Sequence, residues 1–264
     1  MFRKLSEARA ELALANRIAA NEGVLDTLGH VSMRHPDNPQ RYFLSRSSAP
    51  DMVTAEGLIE YDLDSQPARD PGVAQYSERV IHGEIYKARP DVMSVCHHHS
   101  PSFLPLIATR TDYVPITHMG AVGGIKPPWW DQHDEFGDTN MLVARPEEGA
   151  SLARALGSHW LVLMNRHGVT VAGVSVRDCV YRAIQTCRNA EQQVRAMSIG
   201  TVNILSQGEM QLAAEIPKRT TALTRSWDYW ALRVAKAGAS PKMQRAGSAK
   251  TAAKPRRRGG VRRR

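Results

Sequence analysis

The sequence predicts an α/β layered domain with a mixed or antiparallel sheet. Apolar runs of strand length alternate with amphipathic stretches of helical period. They follow one another without a regular βαβ repeat, and no GxGxxG turn or P-loop suggests a nucleotide. At 264 residues and 42% hydrophobic content, the chain can bury a substantial core as one large domain.

The elements follow in order. Across residues 3–22, Leu5, Ala8, Leu12, Ala15 and Ile18 or Ala19 form one apolar stripe, which predicts a helix stopped by Gly23. Residues 28–34 and 41–44, separated by a polar turn, have the form of a β-hairpin. Ser45-Arg46-Ser47-Ser48 then offers hydroxyls and a guanidinium, a combination suited to phosphate or carboxylate, although Ser/Arg clusters are usually solvated turns. A short strand is expected over 58–63 and a loop over 64–72. From Gln75 to Lys87 the period turns helical and places Glu78, Ile81, His82 and Ile85 on one face. A carboxylate on an inward face is costly unless it is paired or bound to metal, which singles out Glu78.

The run Val92 to His99 ends in three histidines. In a strand, side chains alternate faces, so His97 and His99 share one face, about 7 Å apart, while His98 points to the other. Two convergent imidazoles begin a divalent-metal site, and His167 in Asn-Arg-His-Gly supplies a third candidate. Next come a short helix over 100–109, a strand over 113–116 and a flexible glycine-containing stretch at 120–124. Trp129 and Trp130 sit beside that stretch, suited to walling a flat substrate or to packing between helices. Pro146 opens a helix that Gly157 ends, strands are expected over 159–164 and 169–172, and Ser175 caps a long helix through Met197. Trp227, Tyr229, Trp230 and Leu232 lie on a C-terminal helix, placed to cover an interface or the site, or to pack on the core.

The net charge of +9 is concentrated at one end. Residues 240–264 carry ten Lys/Arg and no acid, so the remainder sums to +9 minus 10, or −1. Residues 239–264 are therefore expected to be a disordered basic tail, and 1–238 the folded domain. No aromatics are interleaved with the tail's charges, so no specific nucleic-acid partner is expected. No apolar run is long enough for a membrane span, and the first residues lack signal-peptide features. Cys96, Cys179 and Cys187 are an odd number in apolar surroundings, which argues against disulfides. A cytoplasmic protein with reduced thiols is expected.

Gly29-His-Val-Ser32, Ser77-Glu78, Val95-Cys-His-His-His99 and Arg166-His-Gly168, in that order and spacing, resemble the class II aldolase/adducin family across roughly residues 5–200. The resemblance implies a three-layer α/β/α fold with a central mixed, mainly antiparallel sheet. It also implies one divalent metal ion per subunit on His97, His99 and His167, with Glu78 as catalytic acid/base or further ligand. Manganese, zinc, cobalt and iron all suit such a donor set. A homo-oligomer is implied too, a tetramer or a multiple of one, with sites at subunit interfaces.

Sugar-phosphate aldolases of the family have Gly-Asn where this chain has Gly29-His30 and Thr-Gly where it has Ser47-Ser48. They also place a Tyr after a Pro-x-x-His segment, where Pro115-Ile-Thr-His118 is followed by Met119, and Tyr113 is out of register. The sequence looks most like the branch that decarboxylates hydroxylated aromatic or pyridine dicarboxylates through a metal-stabilised, enolate-like intermediate. In that reading His30 or Glu78 handles the proton, and Arg46, Ser47 and Ser48 hold a second carboxylate. Trp129 and Trp130 flank the ring, and Ser77 and His118 join the substrate-binding set. The alternatives are an aldolase acting on a small sugar, sugar phosphate or hydroxy-ketone, and a non-catalytic adducin-like scaffold.

Overall fold

A computed structural model describes residues 4–215 and 220–239. Its seven strands are β1 (His30–Arg34), β2 (Arg41–Ser45), β3 (Leu58–Asp62), β4 (Ser94–His98), β5 (Trp129–Trp130), β6 (Leu161–Met164) and β7 (Gly168–Gly173). They form one sheet in the order β3-β2-β1-β4-β7-β6-β5. Every pair is antiparallel except β5 with β6. The helices are α1 (Leu5–Asn21), α2 (Arg79–Ala88), α3 (Leu104–Ala108), α4 (Gln132–Phe136), α5 (Pro146–Leu156), α6 (Val176–Met197), α7 (Gln207–Ala214) and α8 (Thr220–Ala239).

Strand alternation produces the three layers. Val31, Met33, Cys96, Val169 and Val171 face α1, α6 and α8, where Leu12, Ile18, Val180, Ile184 and Trp230 complete one core. Tyr42, Leu44, Val95, Val162 and Ala172 face the other way, onto Ile81 and Ile85 of α2 and Leu152 and Leu156 of α5. The fold is the expected α/β/α arrangement. Gly23, at φ +75°, stops α1 in a conformation that favours glycine. Ser175 caps α6 by accepting from the Asp178 backbone N–H at 3.1 Å, while the Asp178 carboxylate accepts from Val174. All three cysteines are free and buried, and burial pushes the Cys179 and Cys187 thiols up to about 12. Among the described residues no helix is long and apolar enough to cross a membrane.

Several elements differ from expectation. Helix α2 starts at Arg79 rather than Gln75. The preceding residues are pinned elsewhere: Ser47 donates its backbone N–H to the Ala74 carbonyl, and the Tyr76 hydroxyl donates to the Ser48 carbonyl. Glu78 is thus the residue before the helix, not a member of its inward face. Residues 113–116 form no strand, because their backbone bonds to side chains of α6. Val114 N–H donates to Gln193 Oε1, Ile116 N–H to Asn189 Oδ1, and Asn189 Nδ2 donates to the Val114 carbonyl. Only Leu104–Ala108 of the expected 100–109 helix is α-helical. Gly120–Gly123 is a buried 3-10 turn rather than a flexible stretch, and Asn189 fills the space that a Gly120 side chain would need. Trp227 and Trp230 pack into the core, whereas Tyr229 and Leu232 are exposed. The basic segment 240–264 lies outside the described residues.

Candidate metal centre

The site forms where one end of β1, β4 and β7 meets the N-terminal end of α2. β1 and β4 pair His30 with His97, and β4 and β7 pair His97 with Thr170. Alternation turns His97 and His99 toward α2, while His98 faces the opposite core against Phe103. His167 sits in the tight turn between β6 and β7. That turn needs Arg166 at φ +58°, an uncommon conformation for a side-chain-bearing residue. Asp131 holds it by accepting from Asn165 Nδ2 and, at 3.1 Å, from the Arg166 guanidinium.

One ligand atom from each of Glu78, His97, His99 and His167 lies within 4.8 Å of all the others. His97 Nε2 is 3.1 Å from His99 Nε2 and 3.6 Å from Glu78 Oε2, and His167 Nε2 is 3.3 Å from Glu78 Oε1. Donors about 2.0–2.1 Å from a tetrahedral ion sit roughly 3.3–3.4 Å apart, so these separations suit one divalent ion. Protonation suits it too. Burial, reinforced by neighbouring imidazoles, holds His97 well below its ordinary value and His167 at about 4, leaving neutral rings with free lone pairs. The histidine contacts of Glu78 are therefore not ion pairs. Burial pushes its carboxyl up to about 7 even though Val143 N–H donates to Oε1 at 3.2 Å. A carboxylate beside the neutral imidazoles of His97 and His167 is stabilised by a cation. Thr170 Oγ1, 3.1 Å from His97 Nδ1, fixes the ring so that Nε2 points inward. Asp26 Oδ1 stands 3.7 Å from His99 Nδ1, too long for a hydrogen bond but near enough to favour the same orientation.

The cluster opens into a cavity of about 360 Å³. Of the residues singled out in the sequence, Ser47, Ser48, Ser77, Glu78, His99 and His167 line it. His97 lies beneath as part of the donor cluster. His30 is buried beside it, its ring 5.5 Å from that of His97 and 4.5 Å from that of Tyr76, a wall of the cavity. The remaining residues are not brought here. Arg46 lines a separate groove with Arg9 and Glu60, since it follows β2 on the opposite side of the strand from Ser47. Trp130 is buried against α5 and donates to Ser151, and Trp129 donates to Asp112 under the Arg110 guanidinium. His118 is exposed on the turn leading to Gly120, outside the cavity lining. Sequence reasoning missed Tyr76, Thr170, Asp26 and Asp131, and it placed His82 on an inward helix face without giving it a role. Each acts through a partner distant in the chain, and only strand pairing would have singled out Thr170.

Residues 10–194 match the family described as Class II Aldolase and Adducin N-terminal domain. The chain is 32% identical over 239 residues to decarboxylase tropJ of Talaromyces stipitatus, covering 81% of this chain and 89% of that protein. It is 29% identical over 216 residues to the 3,4-dihydroxyphthalate decarboxylase of Arthrobacter keyseri, covering 73% and 80%. In fold it is similar to an aldolase II superfamily protein from Pseudomonas syringae, with TM-score 0.76, 22% identity, and coverage of 90% of this chain and 96% of that one. With its sheet order, its histidine cluster and these relatives in agreement, the chain belongs to the class II aldolase/adducin family, in its decarboxylase-like branch.

Proposed function

We propose that this protein is a metal-dependent carboxy-lyase that decarboxylates a hydroxylated aromatic dicarboxylate, of the dihydroxyphthalate or pyridine dicarboxylate type. The observation that carries the reading is the cluster of three imidazoles and one carboxylate at the floor of a small, hydroxyl-lined cavity. His97, His99 and His167 would hold the ion, one per subunit, with manganese, zinc, cobalt or iron as the candidates. A divalent ion there supplies a Lewis acid for the negative charge left when a carbon–carbon bond breaks.

The chain's own groups do the rest. Ser47, Ser48 and Ser77 offer hydroxyl donors to the carboxylate that stays on the ring, beside the N-terminal end of α2, whose dipole favours an anion. With Arg46 turned away, no guanidinium among the described residues lines that cavity, so recognition of the retained carboxylate falls to these neutral donors. As carbon dioxide leaves, the electron pair of the broken bond stays with the ring and a proton must reach the ring carbon. Glu78, at the cluster, either delivers that proton or completes the ligand set. Leu28 and Leu142 leave an apolar rim on the cavity, 64% and 44% exposed, consistent with a homo-oligomer that covers the mouth.

The test is carbon dioxide release by protein loaded with manganese or cobalt, from a panel of hydroxylated phthalates and pyridine dicarboxylates. Release that His97→Ala abolishes is the expected result. Silence across the panel at full metal occupancy overturns the reading and moves aldol cleavage of a small sugar or hydroxy-ketone to first place.

A further inference from the structure

Four buried side chains run in line from the α2–sheet interface to the edge of the histidine cluster. Tyr86 Oη lies 2.7 Å from Ser32 Oγ, Ser32 Oγ lies 2.6 Å from His82 Nδ1, and His82 Nε2 lies 2.8 Å from His30 Nδ1. Ser32 and His30 share a face of β1, while His82 and Tyr86 are four residues apart on α2. At 2.8 Å His82 Nε2 and His30 Nδ1 share a single hydrogen, so one ring donates and the other accepts.

The hydrogens in this line can run one of two ways. From Tyr86 outward, the tyrosine hydroxyl donates to Ser32, Ser32 donates to His82 Nδ1, and His82 Nε2–H donates to His30 Nδ1. The only group then lacking a partner is His30 Nε2–H, and among the described residues His30 Nε2 indeed has none. Reversed, His30 Nδ1–H donates to His82, His82 to Ser32, and Ser32 to Tyr86. The Tyr86 hydroxyl hydrogen then has no acceptor, since Ser32 is its one hydrogen-bond partner among the described residues, and His30 Nε2 is left as a bare acceptor. Two buried polar groups go unsatisfied instead of one, which disfavours that direction.

We infer that Tyr86, Ser32 and His82 are positioning residues that hold His30 as the tautomer protonated on Nε2, so that His30 offers the site an N–H donor for a substrate oxygen bearing negative charge. A protonated Nε2 has no lone pair for a metal and accepts no proton. His30 is thereby separated in role from His97, the neighbour it pairs with across the sheet. Its Nε2 is closed to solvent, so bulk water does not occupy the donor, and the His30 ring lies 4.5 Å from that of Tyr76, a cavity wall that a ligand must shift to engage it. The role toward substrate rests on the lyase reading above, whereas the tautomer does not.

The test is a two-bond nitrogen–proton correlation spectrum of the zinc-loaded protein carrying isotope-labelled histidine, with His30 and His82 assigned through His30→Gln and His82→Gln. Both rings are expected to carry their proton on Nε2, and Ser32→Ala is expected to populate both tautomers of His30. A native His30 protonated on Nδ1 overturns the inference, and so does an unchanged His30 signal in folded Ser32→Ala. The native spectrum decides the matter by itself if that variant does not fold. In the carbon dioxide assay, His30→Phe should lower kcat about 100-fold, as expected for removal of a preorganised donor, with the content of the loaded metal unchanged, and His30→Gln, which keeps an N–H, should recover part of the loss. Equal kcat in all three proteins overturns the donor role. A correct tautomer in a protein that decarboxylates nothing refutes the lyase reading and leaves the relay standing.

Discussion

Gly168→Ala is the most direct probe of how tightly the sheet holds the cluster. A Cβ at Gly168 would stand 2.5 Å from the His98 carbonyl oxygen and 2.9 Å from His99 Cδ2, where ordinary contact begins at 3.4 Å. The shortfalls are 3.4 − 2.5 = 0.9 Å and 3.4 − 2.9 = 0.5 Å. The carbonyl belongs to β4, which pairs His98 with Val169, so it yields only if the two strands part. The His99 contact is relieved separately, by a swing of the ring that moves a candidate ligand. Because metal sites tolerate errors of only about 0.2 Å in ligand distance, that swing should weaken zinc binding by about 10–100-fold, the scale seen when an orienting partner is lost. Overpacking adds a stability cost of about 1–3 kcal/mol. At roughly 2–4 °C per kcal/mol for a domain of this size, the metal-free protein should melt about 2–12 °C lower. Competition against a chromophoric chelator reads the first effect, and thermal unfolding followed by circular dichroism reads the second. An alanine variant with native zinc affinity and native melting temperature would show that β4 and β7 do not clamp His99 as described.

Other consequences are as open to measurement. Thr170→Val removes the partner of His97 Nδ1 and should weaken zinc binding about 10–100-fold with the fold intact by circular dichroism; unchanged affinity would mean that His97 is oriented by packing alone. Arg46→Ala should leave KM for the dicarboxylate substrate unchanged, because Arg46 lines another groove, whereas Ser48→Ala should raise it; the reverse order would place the carboxylate with Arg46. Glu78→Gln should keep most zinc affinity and lose turnover if Glu78 carries the proton, and should lose both if it is a ligand. Burial holds His98 at about 3 and His82 well below its ordinary 6.5, so between those values the unfolded chain binds protons that the folded chain does not. Stability should therefore be complete above about pH 6.5 and fall as pH drops below it, by about 1.4 kcal/mol per pH unit for each such histidine. Urea unfolding of the metal-free protein between neutral pH and pH 4 measures this, and a flat profile would mean that these rings are solvated.

What the chain's order of residues determined unaided was local and periodic. Alternation along Val92 to His99 separates His97 and His99 from His98, Gly23 and Ser175 mark helix ends by their own backbone chemistry, and the hairpin of residues 28–45 is readable from its turn. The motif set, with His167 far from His97 in sequence, pointed to one metal cluster, and the tertiary structure does bring those side chains within reach of one ion. Tertiary structure decided everything that depends on a partner distant in the chain. Tyr76, tied to Ser48, keeps Glu78 out of the helix that its spacing suggested. Gln193 and Asn189 of α6 take the backbone bonds of residues 113–116 away from the sheet. Arg46 and Ser47 are adjacent in sequence yet line different cavities, and Trp129 and Trp130 spend their indole N–H groups on Asp112 and Ser151. The reason is physical. Periodicity specifies which side chains share a face, but a buried hydrogen bond is satisfied by whichever group the folded chain brings within about 3 Å, and that depends on strand order and layer packing rather than on neighbours in sequence.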